Sequence, residues 1–71
     1  MLDSRIRLPP RDLGDTAARL IRPHRGKPEE RQAADAIRQT LRQMVANEPP
    51  EYRAQVYWHV ERAIRGEMQT K

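Results

Sequence analysis

The sequence has no cysteine, so neither a disulfide nor a thiolate metal site can brace the fold. Its two histidines, His24 and His59, are too far apart in the chain to suggest a zinc site, and no metal or cofactor is implied. Nucleophilic catalysis would need a serine or cysteine near a base, and the single serine, Ser4, lies in the N-terminal arm. Glycine-rich phosphate loops and nucleophile elbows are missing as well. The carboxylates stand at helix starts or beside arginines, where capping and ion pairing account for them, so no enzymatic activity is expected. No apolar run approaches the roughly 20 residues that cross a bilayer, and Met1-Leu2-Asp3 does not open like a signal peptide. A soluble, cytoplasmic chain is the expectation.

What is present is helix. Seventy-one residues allow one small domain, in the size range where a single core only just balances the ordering cost of about 1.5 kcal/mol per residue. Without covalent staples, tight helix packing or association has to supply the difference.

Residues 1–11 show no helical period. Ile6 and Leu8 alternate with Arg5 and Arg7, and Pro9-Pro10 follows, which describes an extended arm. Asp12 to about Ile21 reads as a short helix, with Asp12 as N-cap and Leu13, Ala17, Leu20 and Ile21 on one face. Gly14 weakens that helix by about 1 kcal/mol relative to alanine. Pro23 stops it, and a breaker-rich loop runs to Pro28.

Pro28 and Pro50 each stand at a favourable first helical position, followed by acidic residues that suit the positive helix end. The spacing predicts an all-α fold with an antiparallel hairpin, one helix over about 28–47 and the other over about 50–68, turning at Asn47-Glu48-Pro49-Pro50. The first hairpin helix carries the stripe Ala33, Ala34, Ile37, Leu41, Met44 and Val45. In the second, Val56, Tyr57, Val60, Ala63 and Ile64 share a broad apolar face, flanked by Tyr52 and Met68.

Two such helices have a single mutual seam, so Leu41, Met44, Tyr57 or Ile64 would remain partly wet in a lone hairpin. Each large apolar side chain left out forgoes about 1.5–3 kcal/mol. A homodimer, packing through Ile37, Leu41, Met44, Val56, Tyr57, Val60 and Ile64 into a helical bundle, resolves this. A monomeric three-helix bundle is the competing structure.

Trp58 breaks the pattern, because it lies about 160° from Val60 on the helical wheel among polar neighbours. Either the N-terminal arm or the first helix covers it, a partner does, or it is simply exposed. Tryptophan and arginine are the residue types that dominate interface energetics. The expected partner-binding set is therefore Trp58, Tyr52, Arg62 and Arg65, flanked by Arg38 and Arg42.

The charge is unevenly placed. Residues 1–27 carry seven basic and three acidic side chains, whereas residues 28–71 carry seven of each, so the whole net charge of +4 belongs to the N-terminal segment. Arg19, Arg22, Arg25 and Lys27 crowd together there. An alternative reading makes them a phosphate-gripping cluster of a small DNA- or RNA-binding regulator, helped by Arg5 and Arg7.

In its size, its lack of cysteine, its arginine-rich composition and its expected hairpin over Pro28–Met68, the chain resembles the small phage-encoded helical inhibitors of host regulatory proteins, of the anti-quorum-sensing type. The resemblance implies a stoichiometric inhibitor that occludes a working surface of another protein, such as a transcription factor. It includes no signature motif, so it assigns no residue a role.

Overall fold

A computed structural model of the chain describes residues 8–69, which form three α-helices and no strand. The helices are α1 (Pro10–Ile21), α2 (Glu30–Met44) and α3 (Pro50–Met68), with one 3-10 turn (Arg22–His24) after α1. The expected arm lies mostly outside the described residues, as does Lys71.

The start of α1 departs from the sequence reading. Pro9, extended at φ −60° and ψ 143°, is the cap, and Pro10 takes the first helical position. A residue before proline is driven into the extended region, and proline itself is preset for a helix's first turn. The chain therefore uses at Pro9-Pro10 the same device expected at Pro28 and Pro50. Asp12 falls inside the first turn, where its backbone N–H donates to the Pro9 carbonyl at 2.9 Å and its charge faces the helix's positive end.

α2 begins two residues later than Pro28. Gly26 turns the chain at φ 77°, a left-handed conformation that glycine adopts without strain. The Glu30 N–H then donates to the Lys27 carbonyl at 3.0 Å, so a turn spans Pro28 before the helix starts. At its other end α2 stops at Met44, short of Asn47. The amides of Val45, Ala46 and Glu48 each reach a carbonyl three residues back, tightening the exit and swinging Val45 inward. α3 occupies Pro50–Met68, the span the sequence predicts.

The core comes from all three helices. Leu13, Ala17 and Ile21 descend one face of α1 at four-residue intervals, and Val56, Val60 and Ile64 do the same on α3. Ala34, Ile37 and Leu41 of α2, with Val45 just after it, close the third side. Ala33, Tyr52, Tyr57 and Met68 pack around this cluster, half-buried. Each fully buried Ile or Val contributes about 1.5–3 kcal/mol relative to exposure.

Leu41 and Ile64, expected to stay partly wet in a hairpin, are buried within the single chain. The reason is α1, which lies along α3 in a closer and more extended pairing than α2 makes with α3. Gly14 of α1 permits it, because it lies directly against the His59 backbone of α3. Two expected stripe residues stay outside. Met44 is 61% exposed and Leu20 48% exposed. Met44 sits at the last position of α2, where the tightened exit turns Val45 inward instead. Leu20 is displaced because its neighbour Ile21 takes the buried position of that turn.

Among the described residues no helix is long and apolar enough to cross a membrane.

Candidate functional site

Trp58 is 56% exposed on the outer side of α3. Neither α1 nor α2 covers it, because both pack on the opposite, Val56–Val60–Ile64 face. The Arg62 guanidinium stands over the indole, 5.2 Å from its centroid, one helical turn further on. The His59 ring meets the indole edge-on at 4.9 Å between centroids. Two neighbours thus fix the orientation of the indole and leave its far face in water.

Around it, Tyr57, Trp58, Glu61, Arg62 and Arg65 line one shallow surface depression. Tyr57 and Glu61 also line a smaller depression between α2 and α3, together with Arg38, Leu41 and Arg42. Arg42 lies over the Tyr57 ring, 5.4 Å from its centroid, while Arg38 bridges Asp35 and Glu61 in ion pairs. Of the six residues expected to bind a partner, five therefore lie on one continuous strip: Arg38, Arg42, Trp58, Arg62 and Arg65. Tyr52 does not join them. It packs against the core, and its hydroxyl donates to the Leu8 carbonyl at 2.6 Å, holding the start of the described chain against α3.

The residues expected in the dimer or core divide likewise. Ile37, Leu41, Val56, Val60 and Ile64 are buried inside the chain, Tyr57 is half-buried and Met44 is outside.

The basic cluster is partly spent on the fold. Glu67, near the end of α3, accepts from Arg22 at 2.8 Å and from Arg25 at 2.9 Å, and its side chain is only 17% exposed. The hydrogen bond from Arg22 holds the Glu67 carboxyl below its ordinary range, with Arg25 adding to that effect against the opposing influence of burial. The same bond raises the Arg22 guanidinium. Arg19 and Lys27 carry no ion pair among the described residues. His24, between them, stands 3.1 Å from Glu29, and that hydrogen bond lowers the Glu29 carboxyl.

Sequence reasoning missed this clamp, because Arg22 and Glu67 are 45 residues apart and no local periodicity links them. It also missed Arg11, which shares the groove between α1 and α3 with His59 and Arg62. Only the close packing of α1 on α3 brings those three together.

Among the described residues no three His, Asp or Glu side chains come together as a metal site requires. Compared with protein-family models, curated proteins and solved structures, the chain matches none of them.

Proposed function

We propose that the chain is a small, non-enzymatic protein-binding module, a stoichiometric regulator or inhibitor of another protein such as a transcription factor. The observation that carries this is Trp58: a large aromatic side chain, more than half exposed, held in place by Arg62 and His59 at the centre of an arginine-flanked strip. Keeping an indole in water forgoes burial energy that a marginal 71-residue core could use. Rigid aromatic and arginine anchors are what binding surfaces are made from.

In this reading α2 and α3 act as the folded-back pair and α1 seals their inner side. Any homodimer would then form through the outer face of α3 or through Leu20 and Met44, since the inner seam is already filled. Phosphate gripping by the N-terminal basic segment gains less support, because Arg22 and Arg25 are occupied by Glu67.

The test is affinity capture of partners by the intact chain and by Trp58→Ala and Arg62→Ala variants, each checked for helicity. Capture that disappears in both variants while helicity is unchanged supports the module. Capture indifferent to both removes it.

A further inference from the structure

The strip around Trp58 carries a charge pattern that its bare residue list hides. Of the three carboxylates on it or beside it, Asp15, Glu61 and Glu67, two are already neutralised. Glu61 is paired with Arg38, and Glu67 is held by Arg22 and Arg25. Four guanidinium groups are not. Among the described residues, Arg11, Arg42, Arg62 and Arg65 have no carboxylate within ion-pairing distance. Arg62 and Arg65 rise about 6 and 10 Å above Trp58 along the axis of α3. Arg11 of α1 and Arg62 of α3 both line the α1–α3 groove, with Asp15 and the already paired Glu67.

Arg11, Asp15, His59 and Arg62 line the groove together with the small residues Ala18, Ala63 and Gly66, while Gly14 is closed off against the His59 backbone. The arginine rim and the adjoining indole match an amphipathic segment with one apolar anchor and carboxylates on the following turn.

Resting on the reading of this face as a protein-binding surface, we propose that its occupant is an acidic helical segment of the partner protein. An apolar side chain of that segment seats on Trp58, and its carboxylates engage Arg62, Arg65 and Arg11. Carboxylate–arginine pairs are charge-assisted and frequently bidentate, so they set both register and orientation on the strip. A nucleic acid fits the same face less well. Its phosphates are continuous and would run past Asp15, whereas a peptide places its charges only where the arginines stand.

The experiment pans a randomised library of helix-forming peptides against the intact chain. Enriched peptides are then titrated against the parent, Trp58→Ala and the Arg62→Glu/Arg65→Glu pair, with circular dichroism to confirm each fold. A random-sequence DNA duplex and a single strand are titrated in parallel. The expected result is enrichment of net-acidic peptides bearing one aromatic or aliphatic anchor. Binding should be lost in Trp58→Ala and weakened roughly tenfold or more by the charge reversal. Enrichment of neutral or basic peptides, or binding that needs Trp58 but ignores the charge reversal, overturns the acidic partner while leaving the docking surface. Absence of any Trp58-dependent peptide overturns the docking surface and the acidic partner together. Trp58-dependent binding of a nucleic acid more tightly than of any peptide assigns the face to phosphate instead and overturns the proposal.

Discussion

Gly14 lies against the backbone of His59 with no room for a side chain between them: a Cβ placed on Gly14 would stand 2.9 Å from the His59 carbonyl oxygen. The pairing of α1 with α3 depends on that gap.

Gly14→Ala should therefore destabilise the chain, although alanine is the better helix former by about 1 kcal/mol. The obstructing atoms are the His59 backbone and its Cβ, which cannot swing aside, and overpacking of this kind typically costs about 1–3 kcal/mol. Thermal melting should fall by several degrees. Gly66→Ala makes the contrast within α3, because a Cβ there meets nothing within 4 Å. It should raise the melting temperature. Equal effects from the two substitutions would contradict the close α1–α3 contact.

Glu67 ties the end of α3 to the segment after α1, and its carboxyl is held below the ordinary value of 4.5. The unfolded chain therefore takes up the proton first as the medium is acidified. The stabilisation is present above pH 4.5 and is lost as pH falls through the lowered folded value. Glu67→Gln should remove that component, so its melting temperature should lie below the parent's at neutral pH and converge with it in acid. Melting curves from neutral to strongly acidic pH check this.

Ile64 and Met44 are both apolar helix residues, and the fold treats them oppositely. Ile64 is fully buried between the helices, while Met44 is mostly in water. Ile64→Ala should cost about 2–5 kcal/mol, enough to unfold much of a domain this small. Met44→Ala should stay within about 0.5 kcal/mol of the parent. Urea titrations followed by circular dichroism separate the two.

Much of this architecture was legible in the chain. The Val56–Val60–Ile64 and Ala34–Ile37–Leu41 spacings marked two amphipathic helices, and the prolines at 49 and 50 set the start of α3 correctly. Trp58 stood out because its position on the wheel is polar, which local periodicity alone reveals. What the sequence concealed was tertiary. Gly14 read as a weak point of a short helix, whereas it is the place where α1 comes close to α3. A lone hairpin would leave Leu41 and Ile64 partly wet, and with α1 packed on it neither is. Glu67 gave no local signal, because its partners lie on another element. Met44 and Leu20 matched the helical period but lost the buried place to Val45 and Ile21, a choice made by how each helix exits.

The central claim is that the chain closes its own core and keeps Trp58 outside for another protein to cover. As Trp58 is the chain's one tryptophan, its fluorescence reports on that claim directly. In the free protein at low micromolar concentration the emission should be water-like and readily quenched by acrylamide. It should shift to the blue and become shielded when a captured partner is added. Blue-shifted emission that resists quenching in the free monomer would place the indole inside the fold and contradict the account.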